Sequence, residues 1–104
     1  MYRMTILYGP PTDHAEFRRY YYETHIPIAS KMKDLTGWNL SWIEQDADRP
    51  SPYVLVAELY AESAAAMDAI LASPEGVAAR EDLANFVTGS VEFLSGEEEP
   101  VPLS

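Results

Sequence analysis

The sequence predicts an α+β fold in the order β-α-β-β-α-β, a split βαβ arrangement with both helices on one face of a four-stranded antiparallel sheet. Three observations predict it. Short segments of alternating or continuous apolar residues recur four times along the 104-residue chain. Helical patterns with capping residues fall between the first and second of these, and between the third and fourth. Turn-forming Gly, Pro and Asp clusters separate them.

Taken in order, Tyr2-Arg3-Met4-Thr5-Ile6-Leu7-Tyr8 alternates as a strand with Tyr2, Met4, Ile6 and Tyr8 on one side, and Gly9-Pro10-Pro11 ends it. Asp13, with Glu16 three residues on, has the form of a capping box and starts a helix running to about Thr24 or His25. Phe17, Tyr21 and His25 lie four apart and share its inner stripe. Pro27 is expected to stop that helix, because Ile26 before it is pushed out of the α region, leaving His25 beside unpaired carbonyls. Ile28 to Leu35 is expected to continue as a second helical piece. Gly37 then leads into a strand, Trp38 to Glu44, with Trp38, Leu40 and Trp42 on one face, and Asp46 to Pro52 is a loop by composition. Tyr53 to Ala61 reads as a nearly continuous apolar strand, hence a central one covered on both sides. Ser63 caps the next helix, whose stripe is Ala64, Met67, Ile70 and Leu71. Ser73-Pro74 restarts it, with Leu83 and Phe86 pointing inward. Gly89 opens a last strand, Ser90 to Leu94. Residues 1–96 thus form one domain, and 97–104 an acidic, proline-containing tail.

Bulk properties narrow the function. One domain of this size buries a single core with little to spare. The net charge is −10, and it is uneven: residues 1–33 carry +2, the remainder −12. A surface that negative repels phosphate, so nucleic acid and anionic membrane are poor partners, whereas a neutral or apolar small molecule is readily accommodated. The absence of cysteine excludes disulfides, thiolate catalysis and sulfur-based metal sites. The start of the chain does not read as a signal peptide, and no apolar run approaches bilayer length, so a cytoplasmic protein is expected. No cofactor is expected, since there is no glycine-rich phosphate loop or nucleotide fingerprint. His14 and His25 are about three helical turns apart, too far to share a metal within one chain.

Large apolar residues occur at both parities of the strands: Met4 and Ile6 against Leu7, Trp38 and Trp42 against Ile43, Leu55 and Leu59 against Val54 and Val56. The helix-free face is therefore expected to be apolar and to be covered by a second copy, giving a homodimeric barrel with a cavity between two facing sheets.

Tyr21-Tyr22-Glu23-Thr24-His25-Ile26-Pro27-Ile28-Ala29, Tyr53-Val54-Leu55-Val56-Ala57-Glu58-Leu59, and Ser73-Pro74-Glu75-Gly76 followed by Asp82-Leu83-Ala84-Asn85-Phe86 resemble the EthD family in order and spacing, from about Arg3 to Leu94. The resemblance implies a ferredoxin-like fold assembled as a dimeric α/β barrel. The family is named for a protein that accompanies a cytochrome P450 system in bacterial degradation of ethyl tert-butyl ether. Related barrels isomerise lactones, oxidise polycyclic phenols without a cofactor, or act on polyketide-type compounds, and architecture does not choose among these.

His25 is the candidate acid/base, because imidazole titrates nearest neutrality. Tyr21 is its catalytic neighbour, and Tyr8 and Tyr22 are candidates to orient it or to donate to a developing oxyanion. Trp38 and Trp42 are candidate walls of an aromatic-substrate pocket, and equally candidates for dimer core. Tyr20, Tyr21 and Tyr22 cannot all face inward, being about 100° apart. The two functional expectations are an acid/base enzyme for an apolar or aromatic metabolite, by isomerisation, cyclisation or cofactor-independent oxidation, and a non-catalytic binding partner of an oxygenase in which His25 only orders the helix end.

Overall fold

The computed structural model describes residues 1–104. Strand β1 is Tyr2–Tyr8, and Met4, Ile6 and Tyr8 on one of its sides are buried. Asp13 caps helix α1, His14–Tyr20, its carboxylate accepting from the Glu16 amide at 3.1 Å. The chain then remains helical through a π turn, Tyr21–His25, and a short α2, Ile26–Ala29. The expected stop at Pro27 does not occur, and Ile26 keeps helical angles of φ −57° and ψ −47°. The widened turn explains this: the Ile26 amide reaches back five residues to the Tyr21 carbonyl, which loosens the ladder where a proline would otherwise collide with it. The second helical piece ends at Ala29 rather than at Leu35, and Asp34 takes a left-handed conformation, φ 71°, in the connection to the next strand. Asp is among the few side chains that tolerate it.

Strand β2 is Gly37–Trp42 and β3 is Leu55–Ala61. Helix α3, Ala64–Ala72, is capped by Ser63, and α4, Pro74–Asp82, by Ser73, whose hydroxyl accepts from the Gly76 amide at 3.1 Å. A tight turn, Leu83–Asn85, precedes β4, Val91–Glu97, which extends three residues beyond Leu94. Met67 and Ile70 of the expected α3 stripe are buried, but Ala64 is exposed.

The sheet order is β2-β3-β1-β4, every neighbouring pair antiparallel. This is the ferredoxin-like α+β arrangement, with β1 and β3 at the centre. Across the sheet Tyr8 stands opposite Leu55 and Val91, and Met4 opposite Leu59 and Ser95, so these residues share one face. Helix residues Phe17, Tyr21, Met67 and Ile70, with Phe86 just after the Leu83–Asn85 turn, close over that face and form one core with it.

The opposite face carries Leu7, Val56 and Leu94, together with Arg3, Glu58, Tyr60 and Glu92, so it is mixed rather than uniformly apolar. β3 is central but covered on one side only: Leu55, Ala57, Leu59 and Ala61 are buried, while Val56, Glu58 and Tyr60 are not. Trp38 and Trp42 pair with Leu59 and Leu55, which puts both on the helix side and removes them from any contact made by the open face.

Candidate functional site

A cavity of about 270 Å³ lies between the sheet and the helices, walled mainly by apolar side chains such as Met4, Ile6, Met32 and Leu59, with Tyr8, Tyr21, His25 and Trp38 also on its wall. It forms within one protomer. The pocket is made by the helix-covered face and needs no second subunit, so it is distinct from the expected chamber between two facing sheets. Phe93, on edge strand β4, lines it while remaining 47% exposed, so the cavity communicates with the surface there.

The π turn and α2 set His25 into this wall. Its ring is 4% exposed and packs 4.8 Å from the Phe86 ring and 5.2 Å from the Tyr21 ring, centroid to centroid. Nδ1 lies 2.9 Å from Oδ2 of Asp82, at the end of α4. Asp82, itself buried, also accepts from the Tyr20 hydroxyl at 2.7 Å and the Asn85 amide at 3.0 Å, both on Oδ1. Nδ1 is therefore the donor to a carboxylate, and this is the only hydrogen bond the imidazole makes. The expected pairing of His25 with free helix-end carbonyls is replaced by this buried pair. Burial pushes the imidazole below its ordinary value of 6.5, with Asp82 pulling the other way. Burial alone would raise the Asp82 carboxyl, but hydrogen bonds from Asn85, Tyr20 and His25 outweigh it and hold the carboxyl below its ordinary value of 3.8.

Of the tyrosine triplet, Tyr21 is 1% exposed and faces the core, Tyr20 is half-buried against Asp82, and Tyr22 is 44% exposed. Tyr22 and Trp42 stand apart from the cavity wall: the Trp42 indole donates to the Tyr22 hydroxyl at 2.8 Å, and the Arg18 guanidinium lies 4.5 Å above the Trp42 ring. Tyr8, Tyr21, His25 and Trp38 are thus brought together on the cavity wall, while Tyr22 and Trp42 pack against Tyr21 without lining the cavity. His14 is exposed at the start of α1, and no three His, Cys, Asp or Glu side chains converge in a way that would hold a metal. Asp82 is the site residue that sequence reasoning missed. Its signal was there: Ala79, Asp82 and Phe86, spaced three and four apart, put a carboxylate on an inner helical stripe, where it requires a partner.

Fold and site together define a ferredoxin-like α+β protein with an apolar pocket, on whose wall lies a buried histidine held from behind by an aspartate. Residues 9–90 match the EthD domain, and the chain belongs to the EthD family. It is 39% identical over 102 residues to an uncharacterized 11.0 kDa protein of the thcB–thcC intergenic region of Rhodococcus erythropolis, covering 97% of this chain and 98% of that one. Among solved structures it is similar to an ethyl tert-butyl ether degradation (EthD) family protein of Bacillus halodurans, with a TM-score of 0.88 and 25% identity over 95% of this chain and 99% of the other. It also resembles a dimeric ferredoxin-like protein of Thermobifida fusca in fold, with a TM-score of 0.67 and 12% identity over 91% and 88% of the two chains. No helix is long and apolar enough to cross a membrane.

Proposed function

We propose that this chain binds a small apolar or aromatic metabolite in the cavity and moves a proton on it with His25, catalysing an isomerisation or cyclisation. The observation that carries the reading is the asymmetry of the imidazole: Nδ1 is committed to Asp82, whereas Nε2 makes no hydrogen bond in a residue that lines an apolar cavity. A buried, neutral imidazole in the tautomer fixed by a carboxylate is a base at Nε2. It takes a proton from a carbon next to an electron-withdrawing group, the bonding pair moves onto that group, and the imidazolium is stabilised by Asp82. Returning the same proton to another carbon of the ligand regenerates the base and needs no co-reactant. The apolar wall keeps competing water away.

The test is exchange in deuterated water. Small cyclic ketones and lactones incubated with the protein are expected to take up deuterium at the position next to the carbonyl, read by mass spectrometry, and His25→Gln is expected to reduce the uptake to background. Uptake unaffected by that substitution would sink the proposal. Binding without uptake would instead favour a carrier protein, in which the Asp82 network that ties α1, the π turn and the α4 end together makes His25 structural.

The protein is further proposed to act as a homodimer through the open sheet face, acting in catabolic or secondary-metabolite chemistry as the family name of the Bacillus relative suggests. Leu94 is 55% exposed there, and two buried polar atoms on the same face, Arg3 Nε and Thr5 Oγ1, have no partner within the protomer. The Thermobifida relative of the same fold is dimeric. Sedimentation at micromolar concentration is expected to give a dimer that Leu94→Asp converts to a folded monomer; a wild-type monomer at that concentration would overturn the assembly while leaving the intraprotomer cavity intact.

A further inference from the structure

We infer that the hydroxyls of Tyr8 and Tyr21 and the indole N–H of Trp38 form a recognition site for one oxygen atom of the ligand, so that the ligand is a neutral, compact carbonyl or phenol compound. The inference rests on the pocket reading above and deepens it by naming what the pocket selects. Tyr8 is completely buried and Tyr21 nearly so, and both line the cavity with Trp38. The three are neighbours. Tyr21 lies close enough to Tyr8 and Trp38 for weak polar contact with both, but by distance and angle neither Tyr8 Oη nor Trp38 Nε1, both buried, completes a hydrogen bond.

Orphaned donors of this kind are costly and uncommon, so each calls for an explanation. The rest of the molecule does not leave its aromatic tips in that state. Tyr20 is bonded to Asp82, Trp42 to Tyr22, Tyr53 to Glu92 at 2.8 Å and Tyr60 to Glu58 at 3.2 Å. Only on the cavity wall are a phenol and an indole left buried and unpaired, where phenylalanine would pack as well. An indole N–H is a donor only, so what completes the set is an acceptor.

The chemistry of that acceptor follows from its surroundings. Burial pushes the pKa of both phenols far above the ordinary 10.0, so they remain neutral donors. Arg80 is the one permanently charged residue on the wall and it is exposed, so nothing buried compensates a permanently anionic ligand group. A neutral carbonyl or phenolic oxygen meets these conditions. Donors placed around it would also hold the negative charge that collects on that oxygen once Nε2 of His25 removes a proton. At the roughly 30 Å³ that one water occupies in the liquid, the cavity has room for on the order of ten non-hydrogen atoms, the size of a single- or fused-ring ketone, lactone or phenol.

The experiment compares indanone with its deoxygenated counterpart indane by isothermal titration calorimetry, on the wild-type protein and on Tyr8→Phe, Trp38→Phe and His25→Asn. The wild type is expected to bind indanone at least ~10-fold more tightly than indane. That preference is expected to fall to within ~3-fold in Tyr8→Phe and Trp38→Phe, and to persist in His25→Asn. Tyr8→Phe without ligand is expected to melt no lower than wild type, because the hydroxyl it removes holds nothing in the free protein. Equal affinity for the two probes in the wild type, no binding of either, or a preference unchanged by both aromatic substitutions would each overturn the inference. Because the readout is a binding ratio, it is decided separately from deuterium uptake, and failure of His25 as a base leaves it standing.

Discussion

Gly76→Ala is expected to destabilise the protein by about 3 kcal/mol, with a fall in Tm of roughly 10–20 °C. A Cβ built on Gly76 would lie 2.2 Å from the Ile70 carbonyl oxygen, and 2.7 Å from both the Cα and the carbonyl oxygen of Leu71. Every one of these atoms is backbone in the last turns of α3, so no rotamer change relieves the clash and α4 as a whole must move away from α3. In a close-packed interior that displacement propagates. Here it reaches the cavity directly, because Leu71, Gly76 and Ala79 all line it. The same residue also completes the α4 cap by donating its amide to Ser73, so shifting it weakens a second interaction. Ligand-induced thermal stabilisation is therefore expected to shrink along with Tm. Thermal unfolding followed by circular dichroism checks the first effect, and a Tm within two or three degrees of wild type would mean that the contact between α3 and α4 at Gly76 yields to a methyl group.

The strands were legible because their signal is local. Alternation in β1 and the Gly and Pro residues around it determine both its limits and its inward side, and Tyr2–Tyr8 forms as the pattern predicts. The inner stripe of Phe17, Tyr21 and His25 was legible for the same reason, since four-residue spacing survives into the π turn and all three are buried. The path through Pro27 was not. The rule that a residue before proline leaves the α region assumes an ordinary ladder, and one widened turn suspends it. Side assignment also ran past what local pattern decides. Both parities of β2 and β3 carry apolar residues, so only the observed register, Trp38 opposite Leu59 and Trp42 opposite Leu55, tells which side each tryptophan takes. The partner of His25 was hidden by distance along the chain: Asp82 stands 57 residues away, and only the packing of α4 against the π turn brings the two within 2.9 Å. The order of elements and the motifs that resemble the EthD family could be read from the sequence; the chemistry of the site depends on contacts that could not.

Asp82→Asn and His25→Gln are each expected to lower turnover by about 10²–10⁴-fold, and the double substitution to do no more than either alone. A carboxylate at position 82 accepts only, so it fixes the proton of neutral His25 on Nδ1 and leaves Nε2 free to take one. An amide there can donate to Nδ1 instead, which moves the imidazole proton to Nε2 and removes the base with scarcely a change in shape. Two residues acting as one unit do not contribute additively, which is what the double variant detects. Asp82→Ala goes further, because it strands the Tyr20 hydroxyl, the Asn85 amide and the imidazole together; a loss of about 3 kcal/mol is expected. The pH dependence separates the base from its support. Both folded-state values are depressed, His25 below 6.5 and Asp82 below 3.8, so at each site the unfolded chain takes up its proton at higher pH than the folded one. The stability each contributes is complete above its ordinary value and fades as pH falls through its folded value, His25 first and Asp82 later. Wild-type Tm is therefore expected to decline on acidification below 6.5, and His25→Gln to lose the upper part of that decline while keeping the lower. The acid limb of kcat/KM is expected to have its midpoint below 6.5 as well, because a base depressed by burial stays neutral into mildly acidic solution. A limb centred above 6.5 would mean that Asp82 outweighs burial at His25, whereas activity lost only on the alkaline side would make His25 an acid and exclude proton abstraction at Nε2.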